Sequence, residues 1–233
     1  MEHPIGIIGG MGPMASQLFY KMVTEHTAAE RDQDHINLIL LSDASMPDRT
    51  AAILSGQYDG PYEQLLSDAR LLEQCGCTAI AITCNTAHFF ADMIADKIGI
   101  PILHMIRETA RTLVAQGKRR PAILATDGTI RTGLYQKECA AFGLEAAPPE
   151  PAVQRLVMSI IYEEIKRGER GSREKFAQID RALASMGCDC AILGCTELSV
   201  FRSYHSLPPF YVDAMEVLAE LAVVRCGKQL RTI

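Results

Sequence analysis

The chain has 233 residues, 48% hydrophobic and 22% charged, a balance that excludes disordered, collagen-like and coiled-coil classes. A formal net charge of -5 leaves no electrostatic footprint for nucleic acid, and no apolar run approaches the ~18 residues a membrane span needs. The opening Met1-Glu2-His3-Pro4 lacks the basic region of a secretory leader, so a soluble cytoplasmic protein with no nucleic-acid or membrane partner is expected.

Apolar strand-like runs alternate with helix-length amphipathic stretches along the whole chain. Residues 5–8 read as a buried strand, followed by Gly9-Gly10-Met11-Gly12-Pro13 and a helix through about residue 29. A second strand spans 36–41, then a polar loop over 42–50 carries Met46-Pro47-Asp48-Arg49. A helix over 62–73 leads to a third strand at 79–83, and 101–103 is a short fourth. The second half repeats the rhythm: a strand at 122–125, a weak one near Leu144, a long helix over 153–166 and a strand at 191–193. A short strand at 210–212 and a C-terminal helix finish the chain. Continuous apolar strands between helices predict an α/β fold with parallel sheets covered on both faces.

The halves resemble each other. Gly76-Cys77 and residues 79–84 align at a single offset with Gly187-Cys188 and residues 190–195. The opening strand with Gly12 matches the 122–125 strand with Gly128, and Pro101…Glu108 matches Pro209…Glu216 in the same order. An internal duplication of βα units follows. Two similar lobes fit this pattern; an eight-stranded (βα) barrel also fits the length and strand count.

Eight cysteines and no Cys-x-x-Cys knuckle read as thiols rather than as disulfides or a zinc site. Most read as small core residues. The duplication, however, places Cys84 and Cys195 at matched strand ends, where open parallel sheets bind ligands. Asn85-Thr86 and Thr196-Glu197 suit the caps of following helices, whose positive ends would lower a thiol pKa. His88 at i+4 from Cys84 would serve a cysteine hydrolase, but Ser199 holds the matching place after Cys195, so no second dyad exists. A symmetric thiol pair suits a symmetric task. Stereoinversion is one: a thiolate removes a proton from one face of a carbon, and a thiol returns one to the other.

With these residues assembled, the chain resembles the aspartate/glutamate racemase family, the cofactor-independent two-cysteine amino acid racemases. The resemblance is carried by Gly9-Gly10-Met11-Gly12-Pro13, Met46-Pro47-Asp48-Arg49-Thr50 and Thr83-Cys84-Asn85-Thr86-Ala87-His88. Thr126-Asp127-Gly128-Thr129, Glu164-Ile165-Lys166-Arg167-Gly168 and Leu193-Gly194-Cys195-Thr196-Glu197 complete it. It implies two similar lobes, each a four-stranded parallel sheet flanked by helices, pseudo-twofold related with the site in the cleft between them. Residues 1–100 plus 209–233 would form the first lobe and 101–208 the second. It also implies a homodimer, no cofactor and no metal. Cys84 and Cys195 become the acid/base pair, acting on aspartate or glutamate. Asn85, Thr86, Thr126 and Thr196 would hold the α-carboxylate and amine, with Met11 lining the seat. Arg49 and Lys166 would grip the side-chain carboxylate, as a guanidinium's fork geometry suits. Ala125 departs from the glycine of some relatives.

Other readings weigh less. Gly10-Met11-Gly12-Pro13-Met14-Ala15 fits a loose dinucleotide fingerprint, but Asp43 follows too late for the ribose-binding acid. A pyridoxal phosphate enzyme would need a lysine in a dry pocket, whereas Lys166 sits in a Gly/Arg/Glu-rich segment. A non-catalytic acidic-amino-acid binding protein shares most of the proposed site. A related isomerase or decarboxylase of a small dicarboxylate would not need both cysteines.

Overall fold

The computed structural model describes residues 3–232; Met1 and Glu2, from the segment read against a leader, and Ile233 lie outside the described residues. Among the described residues, seven strands form two wholly parallel sheets. The first contains β1 (Ile5–Gly9), β2 (Leu38–Ser42), β3 (Ala79–Ile82) and β4 (Ile102–Leu103), in the order β2-β1-β3-β4. The second contains β5 (Pro121–Leu124), β6 (Cys190–Leu193) and β7 (Tyr211–Asp213), in that order. The chain divides into two compact units: the described residues up to Met105 with those from Met215 onward, and Ile106–Ala214. Among the described residues, no helix is long and apolar enough to cross a membrane.

In the first unit, β1 and β3 are buried along their whole length, as their unbroken apolar sequences require. The helix Pro13–His26 starts with proline at its first turn and buries Ala15, Phe19 and Val23; Asp59–Gln74 buries Leu65, Ala69 and Leu72. The chain leaves β1 for β2 on one side, then returns past β1 to β3 on the other. That reversal of strand order opens a crevice outside the C-terminal ends of β1 and β3.

The loop after β1 depends on glycine. Gly10 has φ +89°, and a Cβ there would lie 2.3 Å from the main-chain carbon of Asp43. Its N–H donates to Ser16 Oγ at 2.8 Å, and Ser16 Oγ lies 3.3 Å from Thr83 Oγ1, tying the β1 loop to the end of β3. Gly10→Ala should therefore destabilise the protein by more than about 2 kcal/mol, combining a left-handed backbone with a main-chain overlap. Chemical denaturation checks this; an unchanged midpoint would show that the loop relaxes freely.

The polar segment 42–50 is not all loop. It ends in the helix Arg49–Ser55, capped by Asp48, whose Oδ1 accepts the Ala51 N–H at 2.7 Å.

The second unit repeats the plan with one strand fewer than expected. Near the weak strand read at Leu144, only a single parallel bridge forms, Ala122 to Ala147. Glu145 N–H donates to Arg119 O and Ala147 N–H to Pro121 O, at 2.8 and 3.0 Å. The next donor in that alternation would be residue 149, which is proline and has no N–H, so the ladder stops there. The expected four-stranded second sheet is thus three strands and one bridge. The order 147-β5-β6-β7 still reverses between β5 and β6, as it does between β1 and β3.

Two short strands also exchange lobes relative to the expected boundaries. Residues 101–103 were expected in the second lobe, but Ile102 and Leu103 pair with Ile80 and Ala81 of β3 in the first sheet. Residues 209–213 were expected in the first, but Tyr211–Asp213 pairs with Ala191, Ile192 and Leu193 of β6. The division falls after each of these strands, because each is the outer neighbour of a central buried strand and shares its core. Only the stretch from Met215 onward, most of the C-terminal helix and the described residues after it, belongs to the first unit.

Candidate active site

Cys84 and Cys195 each lie two residues beyond a central strand, β3 in one unit and β6 in the other. Both thiols are buried, at 7% and 6% exposure.

In the first unit, Cys84 shares a buried cluster with Ile8, Met11, Met46 and Ala87. Met11 comes from the loop after β1, so the two loops of the crevice meet. Arg49, also buried, donates from Nη1 to Met46 O and Pro47 O at 3.1 and 2.8 Å, and from Nη2 to Met11 O at 3.3 Å. Those three acceptors are main-chain carbonyls, which fix the orientation of the guanidinium. Asn85 and Thr86 follow Cys84 and are buried. Cys84, Met11, Arg49, Asn85 and Thr86 are thus gathered around one crevice of the first unit.

The segment after Cys84 is a 3-10 helix, Thr86–Phe90, and the Asn85 side chain makes no cap bond to it. The expected cap is absent because Asn85 itself adopts helical angles, whereas a capping side chain needs an extended backbone. His88 is committed elsewhere. Its Nε2 accepts the Met105 N–H at 3.1 Å, which leaves Nδ1 to donate to Cys84 O at 2.9 Å. Burial, with His104 beside it, pushes the imidazole down to about 3. A Cys84–His88 hydrolytic dyad has no available base nitrogen.

In the second unit, Cys195 is the N-cap residue of the helix Thr196–Tyr204, but no side chain caps that helix. Instead the Cys195 thiol donates to Glu197 Oε2 at 3.0 Å, and Thr196 Oγ1 lies 3.4 Å from the same oxygen. Glu197 Oε1 accepts from Lys166 Nζ at 2.5 Å. Burial first, and then the Glu197 charge, push the Cys195 thiol well above its ordinary value, with Lys166 opposing. Desolvation and an adjacent carboxylate thus oppose the lowering expected of a helix N-terminus at this thiol.

Lys166, expected to face a substrate carboxylate, is paired with Glu197. It reaches there from a run that changes winding, α-helix over Pro151–Met158, π-helix over Ser159–Glu164 and a 3-10 turn over Ile165–Arg167. The sequence expectation of one continuous helix over 153–166 was too simple.

Thr126 is the N-cap of Asp127–Thr132 and accepts the Thr129 N–H at 3.2 Å. Gln154 Nε2 clamps this loop by donating to Ala125 O and Asp127 Oδ1 at 2.9 and 2.8 Å. Gly194 N–H donates to Leu124 O at 2.8 Å, setting the Thr126 loop beside the Cys195 turn. A Cβ on Gly194 would come within 2.9 Å of Tyr135 and 3.2 Å of the Ala125 methyl, so the departure at Ala125 packs against this glycine. Thr126, Lys166, Cys195 and Thr196 are therefore grouped in the second unit. Glu197 and Gln154 were missed as site residues; the i+2 spacing of Glu197 from Cys195 was the available signal.

Among the described residues, no group of three or more His, Cys, Asp and Glu is placed to hold a metal ion.

The Asp/Glu/Hydantoin racemase family model matches residues 8–222. A broad specificity amino-acid racemase, RacX, of Bacillus subtilis is 29% identical over 163 residues, 67% of this chain and 70% of its own. Among solved structures, the aspartate racemase of Picrophilus torridus superposes with TM-score 0.82 at 29% identity, covering 98% of this chain and 96% of its own. An aspartate racemase homologue from Pyrococcus horikoshii gives TM-score 0.77 at 25% identity, covering 97% and 99%. With matches across nearly its whole length, the chain belongs to the Asp/Glu/hydantoin racemase family.

Proposed function

We propose that this racemase inverts an acidic amino acid, aspartate or glutamate, without a cofactor, by proton transfer between Cys84 and Cys195. The observation that carries the reading is the matched pair of buried thiols, each just past the central strand of its own sheet. One thiolate removes the α-proton and the other thiol delivers a proton to the opposite face. The roles exchange with the substrate's hand. Arg49, fixed by three carbonyls, supplies the cation for the side-chain carboxylate. Lys166 adds a second positive charge that it shares with Glu197. Asn85, Thr86, Thr126 and Thr196 supply polar contacts for the α-carboxylate and amine, and Met11 lines the seat. The working form is a cytoplasmic homodimer.

Chiral chromatography of products from each enantiomer of aspartate, glutamate and alanine tests the reading. Protein dialysed against a chelator, with nothing added back, should invert at least one acidic amino acid and prefer it to alanine. Failure to invert either acidic amino acid would overturn the reading. One methylene separates the two candidates, worth about 1–3 kcal/mol in a pocket, so both belong in the assay.

A further inference from the structure

Among the described residues, the titratable groups that act on the Cys195 thiol come from several elements, and three of them matter here. Glu197 stands on the helix that Cys195 begins, Lys166 on the 3-10 turn Ile165–Arg167, and Tyr135 on the helix Leu134–Ala141. Tyr135 is fully buried, and burial raises its phenol far above the ordinary range, so it acts on the sulfur as a neutral group. The charges that act are therefore Glu197 and Lys166, joined in one ion pair whose carboxylate also receives the thiol hydrogen. A thiolate at that sulfur would sit about one hydrogen-bond length from a carboxylate, a like-charge contact that disfavours ionisation.

Building on the two-thiol reading, we propose that Glu197 is a positioning residue that holds Cys195 as the neutral, proton-donating thiol of the resting enzyme, with Lys166 setting the strength of that hold. Three features carry this. The thiol has a carboxylate acceptor at 3.0 Å, the carboxylate is itself 4% exposed, and its other oxygen is anchored by Lys166 at 2.5 Å. Glu197 cannot swing away from the sulfur without breaking the ion pair. The resting protein is then asymmetric: Cys195 is set as acid for the hand whose α-proton Cys84 removes, and the opposite hand requires Cys195 to give up its proton first.

Residue-resolved alkylation by iodoacetamide across a pH series tests the idea without requiring turnover, so its failure is distinct from failure of the racemase reading. Glu197→Gln removes the like charge and keeps the shape. The pH at which Cys195 reacts at half its limiting rate should fall by about one unit or more, a tenfold gain in thiolate at fixed pH. Lys166→Met removes the opposing cation, and the same midpoint should rise. Glu197→Asp keeps the charge and should stay near wild type. The two partners of one ion pair thus move the midpoint in opposite directions, which a strut that only braces the helix would not do. Buried Cys139 and Cys190 report loosening of the fold and should keep their wild-type rates. Midpoints that stay fixed in both charge variants, or that shift the same way in both, would overturn the assignment.

Discussion

Cys84→Ser and Cys195→Ser should each lower racemisation by at least about a hundredfold, the low end of what positioned acid–base groups contribute. A serine hydroxyl at either place is too weak an acid to form the base or to return the proton. The fold should survive, since each change swaps one sulfur for oxygen at a strand end rather than opening a core cavity. The remaining thiol can still lift an α-proton from the enantiomer that presents it. In deuterated water, each variant should exchange that proton slowly with retention, and the two variants should prefer opposite hands. The resting asymmetry inferred above adds a ranking: the Cys195→Ser variant, which keeps Cys84, should exchange faster near neutral pH. Near wild-type racemisation by both variants, or exchange of the same hand by both, would contradict the two-base reading.

Arg49→Ala carries the second-largest effect. Discrimination for aspartate or glutamate over alanine, expressed as kcat/KM, should fall by about 2–5 kcal/mol if a desolvated charge pair is lost. Arg49→Lys should recover only part, because a point charge replaces the planar fork. The same residue donates to Met11, Met46 and Pro47, so the alanine variant should also lose about 1–3 kcal/mol of stability from carbonyls left short of donors. The two effects separate in the lysine variant, which retains the cation. If Arg49→Ala leaves the acidic preference unchanged, the side-chain carboxylate is bound elsewhere.

Much of the fold was legible in the sequence because buried parallel strands leave an unmistakable trace. Ile5–Gly9, Ala79–Ile82, Pro121–Leu124 and Cys190–Leu193 are apolar on both faces, and the duplication pointed to the two cysteines that follow β3 and β6. The short strands were harder. Ile102–Leu103 and Tyr211–Asp213 are too brief to announce which sheet they join, and that choice fixed the unit boundaries. Pro149 could have warned that the strand near Leu144 would be truncated.

At the candidate site, residue types were legible and partnerships were not. Thr126 as a helix cap follows from local chemistry. Lys166 and Glu197 are 31 residues apart, and their pairing depends on a change of winding that apolar periodicity does not record. The dipole argument for Cys195 was incomplete for the same reason: it weighed the helix end without the carboxylate and the burial that tertiary packing supplies.

The most direct measurement follows the label in wild-type protein during the first few per cent of conversion in deuterated water, starting from one enantiomer of aspartate or glutamate. The two-thiol reading predicts deuterium at Cα of the inverted product, delivered by the solvent-exchanged acid, and almost none in the recovered starting enantiomer. Label appearing equally early in the recovered substrate and the product would mean that one base serves both faces, and would contradict the account.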